Sequence, residues 1–160
     1  MRPGDHPEFF RFPAPPGQSR ESTIVLDGEG RFWHDGELVV HPGLLEALPR
    51  WVGRHPDDGR YILTNGYDWT YFTVDDVPFF VRGVSTGDAP ELLLSDGTKE
   101  PFPDGGYRVG RDGALYCPVK GGAFEARFTP GAQAALAAFV VEDASGSAML
   151  SVGGRRLPLP

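Results

Sequence analysis

Aromatic and β-branched residues are concentrated along residues 59–84, where two such runs flank an Asn-Gly pair. The runs cover residues 61–64 and 69–74, and Asn65-Gly66 follows the first of them. Asn-Gly readily adopts the positive φ values that a tight turn between two strands requires. The pattern therefore predicts a β-hairpin.

The second strand of this hairpin carries large apolar side chains on both faces. Neighbouring side chains on a strand point to opposite faces, so Trp69, Tyr71 and Thr73 share one face and Phe72 lies on the other. Such a strand is either covered on both sides or keeps one aromatic face for a ligand or partner. General burial statistics favour a strand that is covered on both sides, and the second alternative stays open.

Two other segments have apolar residues at helical spacing. The first begins near Pro42, since proline is well suited to the first position of a helix, but Pro49 removes a backbone donor and predicts a short or kinked helix. Its apolar stripe is formed by Leu44, Leu45, Leu48, Trp51 and Val52. The second helix is predicted over residues 130–141, after Thr129 as N-cap and with many alanines.

Short apolar runs that end at Asp-Gly pairs predict further strands. Residues 24–40 should form a three-stranded meander in which Trp33 pairs with Leu38 across a turn at Asp35-Gly36. Later strands are predicted in residues 107–119, 123–128, 148–152 and 156–159. The 22 glycines and 16 prolines also favour short strands and many turns.

The two halves of the chain repeat the same order of predicted elements. His41-Pro-Gly corresponds to Thr129-Pro-Gly, and Leu48 corresponds to Leu136 in the second helix. Two diverged copies are the preferred interpretation, with a chance match of Gly-punctuated strands as the alternative. The sequence thus predicts an α+β fold of two related lobes, each an antiparallel sheet of meanders and hairpins with one helix.

Residues 1–20 are rich in proline and polar residues, with an FFRF segment that contains Phe9, Phe10 and Phe12. Disordered tails rarely carry such a cluster, so this segment is expected to pack on the body of the protein. The predicted divisions are an N-terminal extension at 1–20, a first lobe at 21–84, a connection at 85–106 and a second lobe at 107–160.

The composition argues against several classes of protein. A net charge of −7 leaves no basic surface for nucleic acid. No apolar run is long enough to span a bilayer, and the first residues lack the uninterrupted apolar segment of a secretory signal. The single cysteine cannot form an internal disulfide. We therefore expect a cytoplasmic protein with no nucleic-acid partner and no membrane partner.

Few side chains suggest a metal site or a reactive nucleophile. The predicted pairing of His34 with Glu37 separates His34 from His41 by roughly 13 Å along the ladder, so they cannot share a metal. Cys117 lies in an apolar strand without an activating base, which predicts a buried structural cysteine. The six Asp-Gly pairs lack the acidic spacing of an EF-hand and indicate turns. The sequence predicts no metal site and no cofactor.

Asp75 and Asp76 are adjacent acids between two apolar runs. Paired carboxylates can act as acid and base when their environments separate their pKa values. Neighbours on a strand point to opposite faces, so a turn at the strand end is favoured over a catalytic pair. The catalytic interpretation is kept as an alternative.

These segments together resemble the bacterial family catalogued as domain of unknown function 1285. The resemblance runs in order over residues 22–140, and its most specific part is the valine, acidic pair and Pro-Phe of residues 74–79. The family's usual Thr-Pro-Val-Glu is replaced here by Thr64-Asn-Gly-Tyr. The segments that carry the resemblance are GRFWHDGELV, DGRYILT, VDDVPFFV and LYCPVKGGAFEAR. The resemblance implies a two-lobe α+β fold with repeated strand-helix units, no established activity and a suggested part in signalling.

The two halves differ most at the aromatic hairpin. The position of residues 67–72 corresponds in the second half to Gly153-Gly-Arg-Arg-Leu, which lacks comparable bulk. The additional aromatics must cover a seam between lobes, fill a larger first core or remain available to a ligand or partner. We place the functional surface on this face, and its predicted residues are Trp69, Tyr71, Thr73, Asp75 and Arg82.

The function expected from the sequence is a non-catalytic module that binds a small molecule or a protein partner. A hydrolase that uses Asp75, Asp76 and a histidine is the first alternative. The second alternative is an interaction protein whose aromatic face forms a homodimer contact.

Overall fold

Pro78 is the last residue of the first of two units into which the chain divides. The computed structural model describes residues 1–160, with residues 1–78 in the first unit and residues 79–160 in the second. Each unit has its own sheets and one α-helix, so the predicted α+β class is confirmed. Neither helix is long and apolar enough to cross a membrane.

The first unit contains seven short strands and one α-helix. They are β1 Val25–Leu26, β2 Phe32–His34, β3 Glu37–Leu38, α1 Pro42–Arg50, β4 Val52–Arg54, β5 Tyr61–Thr64, β6 Trp69–Tyr71 and β7 Thr73–Val74. One sheet has the order β3-β2-β1-β7, with β1 and β7 parallel. The other sheet is the antiparallel meander β4-β5-β6.

The pairing of β2 with β3 follows the pattern of the sequence. Trp33 lies opposite Leu38 and His34 lies opposite Glu37, as the intervening Asp-Gly turn predicts. This register leaves His34 exposed at the end of its strand.

Helix α1 begins after His41, whose Nδ1 accepts a hydrogen bond from the backbone N–H of Gly43 at 3.1 Å. This bond satisfies one of the free donors of the first turn. The helix ends at Arg50, directly after the proline that interrupts its pattern. Leu48 is buried, whereas the two leucines one turn before it are 41% and 47% exposed. The predicted apolar stripe therefore packs inward only near the end of the helix.

The second unit contains nine strands and one α-helix. They are β8 Phe79–Val84, β9 Glu91–Leu94, β10 Lys99–Pro101, β11 Arg108–Val109, β12 Leu115–Val119, β13 Phe124–Phe128, α2 Pro130–Ala135, β14 Val140–Glu142, β15 Ala148–Val152 and β16 Arg155–Pro158. A six-stranded sheet has the order β10-β9-β8-β13-β12-β11, with β8 and β13 parallel. Strands β14, β15 and β16 form an antiparallel meander.

The boundary between the units lies before β8 rather than after residue 84. Strand β8 pairs with β13 on one side and with β9 on the other, and Phe80 and Val81 are buried in this sheet. The predicted connection at residues 85–106 holds two strands of the same sheet. The parallel pairing of β8 with β13 joins residues far apart in sequence, which is why the local pattern did not reveal it.

Helix α2 is shorter than the sequence predicts. It begins after Thr129, whose side chain accepts a hydrogen bond from the backbone N–H of Ala132, but it ends at Ala135. A 3₁₀ turn at Leu136–Phe139 follows, and Val140 is already the first residue of β14. The alanine-rich run has strong helix propensity, but the chain tightens into 3₁₀ geometry where it must turn into the next strand.

A strand hairpin, a helix and a three-stranded meander follow one another in both units. Val52 lies opposite Leu63 in the first meander, and Val140 lies opposite Leu150 in the second. This run of elements is thus common to the two units, while their origin as two copies stays a prediction.

Candidate functional site

The turn between β5 and β6 is shaped by the side chain of Asn65. Its Oδ1 accepts hydrogen bonds at 2.8 and 2.9 Å from the backbone N–H groups of the two residues that follow Gly66. Gly66 itself has a φ of 87°, which favours glycine. The resulting register places Trp69 and Tyr71 two residues apart on β6, and hence on one face of the hairpin.

Four rings meet on this face, and we call Phe10, His55, Trp69 and Tyr71 the aromatic cluster. The Trp69 ring packs edge-on to His55 and Tyr71, with centroid separations of 5.0 and 5.1 Å. The Phe10 ring lies 6.1 Å from the ring of Trp69 and 6.1 Å from that of His55. Trp69 is only 6% exposed. The aromatic face of the hairpin is therefore covered, rather than open to solvent.

His55 is the buried polar side chain of the cluster and is 7% exposed. Its Nδ1 accepts a hydrogen bond from the backbone N–H of Asp57 at 3.1 Å, and its Nε2 lies 2.8 Å from the carbonyl oxygen of Phe10. These bonds fit an imidazole that carries its proton on Nε2 and donates it to Phe10. Both ring nitrogens are thus engaged with backbone groups, Nδ1 with its own loop and Nε2 with Phe10.

Tyr71 connects the cluster to a polar network at its rim. Its hydroxyl donates a hydrogen bond to Oδ2 of Asp58 at 2.7 Å, and this bond lowers the pKa of Asp58. Burial, and then the bond to Asp58, raise the pKa of Tyr71. The Arg60 guanidinium lies 3.6 Å from the centroid of the Tyr71 ring and forms hydrogen bonds of 2.8 and 2.9 Å with Glu21. Tyr71 is thus a neutral hydrogen-bond donor at this rim.

A segment that we call the N-terminal strap, residues 2–11, crosses the cluster. At one end the backbone N–H of Gly4 donates to the carbonyl oxygen of Gly66 at 2.7 Å. At the other end the Arg11 guanidinium binds the Asp57 carboxylate through three contacts of 2.9 to 3.2 Å, which lower the pKa of Asp57. The strap folds into two short 3₁₀ turns, Pro3–Asp5 and Pro7–Arg11.

The FFRF segment, residues 9–12, packs on the hairpin through Phe10, and the sequence predicts that this segment packs on the body. Phe9 and Phe10 are half-buried and meet edge-on at 5.1 Å, whereas Phe12 is 62% exposed. The strap therefore contacts the body mainly through one inserted ring, one carbonyl group and a few polar contacts.

Two buried N–H groups at the cluster have no hydrogen-bond acceptor. They are Nε1 of Trp69 and Nε of Arg20. The Arg20 guanidinium lies 4.6 Å from the centroid of the Trp69 ring, so the two groups belong to one site. Nη1 of Arg20 is satisfied by Asp68 at 2.6 Å and by the carbonyl oxygen of Trp69 at 3.0 Å. A buried donor without an acceptor is unfavourable and marks a position that an acceptor could fill.

Of the five residues predicted for the binding surface, the structure brings two together. Trp69 and Tyr71 lie side by side in the cluster. Thr73 belongs to β7, which pairs with β1, because the chain leaves the hairpin sheet after Tyr71. Asp75 is exposed after that strand, and Arg82 is exposed on β8 of the second unit. The prediction assumed that side chains alternate between the faces of one sheet along residues 69–74. This assumption is wrong, because residues 69–71 and residues 73–74 belong to two different sheets.

Sequence reasoning missed several members of the site. The segment around His55 has the composition of a polar turn, whereas its imidazole is buried and Asp57 binds Arg11. The only available signal was the FFRF segment, whose packing on the body was expected without a partner. Arg20 and Arg60 gave no signal, since isolated arginines in polar stretches are common on surfaces.

Two cavities offer less for a ligand than the cluster does. One, of about 220 Å³, is lined by residues of α1 and the hairpin, including Leu48 and Trp51, and is smaller than the usual 300–1,000 Å³ of ligand sites. The other, of about 370 Å³, lies in the second unit between α2 and the last meander. Its one polar lining side chain, Gln133, already bonds two backbone groups at 2.9 Å. Trp69 lines the first cavity, and its Nε1 is the one buried side-chain N–H donor without a partner that belongs to either lining.

The histidines and acids of the alternative hydrolase lie in separate surroundings. Asp75 and Asp76 are exposed. The imidazole of His41 caps α1 and that of His55 is held in the cluster. Cys117 is buried, and this burial raises the pKa of its thiol to about 12. No group of three or more histidine, cysteine, aspartate or glutamate side chains is arranged to hold a metal.

Two solved structures share the fold of this chain. A DUF1285 family protein from Silicibacter pomeroyi DSS-3 matches with a TM-score of 0.68 at 16% identity, over 94% of this chain and 91% of that one. A DUF1285 family protein from Shewanella baltica OS155 matches with a TM-score of 0.57 at 12% identity, over 75% of this chain and 94% of that one. No family model and no curated protein matches the sequence. The chain therefore has the fold of DUF1285 family proteins, which supports the resemblance predicted from its sequence.

Proposed function

We propose that the protein is a non-catalytic binding module and that the aromatic cluster is its binding site. The observation that carries this proposal is the pair of buried N–H donors, Trp69 Nε1 and Arg20 Nε, that have no acceptor beside three packed rings. Aromatic walls with a few fixed polar groups are typical of ligand sites. Nδ1 of His55 is held by the backbone N–H of Asp57 in its own loop, and this favours binding over catalysis.

The site defines the chemistry of its ligand. An acceptor oxygen would satisfy the two donors, and the positive Arg20 beside them favours an anionic acceptor such as a carboxylate. An aromatic ring would take the place that Phe10 holds against Trp69 and His55. A ring that carries a carboxylate on a short arm combines both features, and phenylacetate is a suitable probe.

Matched tryptophan variants test the proposal. Trp69→Phe keeps most of the ring but removes a donor without an acceptor, so the free energy of unfolding should change little or rise. Trp33→Phe is the control, because Nε1 of Trp33 donates to Asp27 at 2.8 Å, and its loss should cost about 1–2 kcal/mol. Urea unfolding of both variants measures the difference.

Binding is followed by thermal shift on the same variants. Phenylacetate should raise the melting temperature of the wild type and of Trp33→Phe, but not that of Trp69→Phe. Ethylbenzene, which has the ring without an acceptor, should have a smaller effect. Equal shifts for the wild type and Trp69→Phe would contradict the proposed site.

A further inference from the structure

The N-terminal strap occupies the proposed site as a ligand would. We infer that the cluster recognises a peptide in which an aromatic residue is followed by arginine, and that Phe10-Arg11 is an internal copy of this ligand. The inference rests on the proposed binding function, and it specifies both the class of partner and the group that blocks its access.

Two consecutive strap residues make three different kinds of contact. The Phe10 ring packs against Trp69 and His55, while its carbonyl oxygen accepts the hydrogen bond from His55 Nε2. The next side chain, Arg11, binds the carboxylate of Asp57 at 2.9 Å. The cluster thus binds a ring, a backbone carbonyl and a guanidinium that follow one another along the peptide. Because two consecutive residues are contacted, the site selects a dipeptide sequence rather than a single side chain.

His55 and Asp57 act as one recognition unit. The backbone N–H of Asp57 donates to Nδ1 of His55, so the imidazole presents its Nε2 proton to the peptide carbonyl. The side chain of Asp57 then binds the following arginine. The hydrogen bond within this loop therefore fixes the spacing between the carbonyl and guanidinium contacts.

The strap is held by contacts that a competitor can replace. Its turns are short 3₁₀ segments, and the side chain of Arg11 is 54% exposed in its pair with Asp57. Exposed ion pairs of this kind are weak and are screened by salt. Residues 13–19, which join the strap to the body, contain three prolines and no helix or strand. The strap can therefore leave the cluster while the strands of the first unit stay paired.

The unpaired donors favour a partner peptide over a second copy of the chain. The strap leaves Trp69 Nε1 and Arg20 Nε without acceptors, and the strap of a second copy would leave them so too. A partner with the same aromatic-arginine pair and an acidic side chain within hydrogen-bond reach of the two donors, where Glu8 of the strap does not bond, would fill them. Such a peptide makes the contacts of the strap and two further hydrogen bonds, so its affinity for the cluster is higher.

Peptide titration of the full-length chain tests this inference. The probe is the synthetic peptide His-Pro-Glu-Phe-Phe-Arg-Phe, which copies residues 6–12. Because a tethered strap competes at a high effective concentration, the peptide should bind the double variant Phe10→Ala, Arg11→Ala at least about 10-fold more tightly than the wild type. Phe12→Ala is the matched control, since Phe12 is exposed, and it should bind the peptide as weakly as the wild type does.

Reversing the charge at Asp57 gives a second test that does not depend on the folding of the double variant. Asp57→Arg should lose the peptide that carries arginine and bind one in which glutamate replaces that arginine. Failure of the exchange, together with equal peptide affinities in the wild type and the double variant, would overturn the inference.

Three possible results distinguish the proposed binding site from the proposed peptide ligand. Phenylacetate binding without any peptide binding would overturn the peptide inference and leave the proposed site standing. Loss of both would overturn the proposed function itself. A wild-type dimer that Phe10→Ala dissolves would place a second copy on the cluster and overturn the choice of partner.

Discussion

Trp33 and Trp69 present the same indole group in two different environments. Nε1 of Trp33 donates to the carboxylate of Asp27, whereas Nε1 of Trp69 is buried without an acceptor. The second arrangement is unfavourable by about 1–3 kcal/mol relative to a satisfied donor. A tryptophan that serves packing alone would gain from a nearby acceptor, and it is this difference between Trp33 and Trp69 that supports the proposed site.

The carboxylate of Asp27 accepts several hydrogen bonds at the turn that joins β1 to β2. Burial alone would raise the pKa of Asp27, but hydrogen bonds from the Trp33 indole, from the backbone of Arg31 and Glu29 and from the Arg31 side chain together lower it to about 2. The carboxylate thus holds the turn only while it is ionised.

The prediction for Asp27 concerns acid stability. Because the pKa is lowered on folding, its contribution is complete above the unfolded value near 3.8 and is lost as the pH falls through about 2. Asp27→Asn should lower the free energy of unfolding by about 1–2 kcal/mol at pH 7 after allowance for solvent screening. Urea unfolding at pH 7, 4 and 2.5 should show the difference between wild type and variant shrinking toward acid. A difference that stays constant with pH would contradict this account.

At the scale of elements, hairpins and helix starts followed from local sequence. The β5–β6 hairpin follows from Asn65-Gly66, and α1 and α2 both begin at the proline after a capping residue. The contact of the strap with the cluster, by contrast, joins residues that are 45 positions apart. Periodicity carries no information about such pairing, which is why the strap that covers this face of the hairpin was not predicted.

A pair of glycine variants tests the start of α2. Gly131 lies in the first turn with open space around its Cα, so Gly131→Ala should raise the free energy of unfolding by up to about 0.5–1 kcal/mol. Gly121 is also in open space but has a φ of +68°. Gly121→Ala should therefore destabilise by about 1 kcal/mol through its backbone alone. If denaturant unfolding showed that both substitutions change the free energy of unfolding in the same direction, this explanation would be contradicted.

At the scale of the whole molecule, each unit closes its own sheets. The six-stranded sheet of the second unit needs β8, because this strand joins the β9–β10 hairpin to β13. A division after residue 84 would separate β8 from β9 and β13, and a parallel pair such as β8 and β13 leaves no local turn signal in the sequence.

Fragments of the second unit test this division. A fragment of residues 79–160 retains every strand of its two sheets and should give a dispersed amide NMR spectrum. A fragment of residues 107–160 lacks β8 to β10, which exposes the side of β13 that pairs with β8, and it should be unfolded or aggregated. A well-dispersed spectrum from the shorter fragment would favour the boundary predicted from the sequence.

The most direct test of the binding site is the indole N–H signal of Trp69 in the full-length protein. The chain has three tryptophans, so three indole signals are expected, and the Trp69→Phe variant identifies the one that belongs to Trp69. Phenylacetate should shift this signal as its carboxylate accepts the hydrogen bond, while the signal of Trp33, already bonded to Asp27, stays in place. A Trp69 signal that does not move at saturating phenylacetate or peptide would contradict the assignment of the aromatic cluster as the binding site.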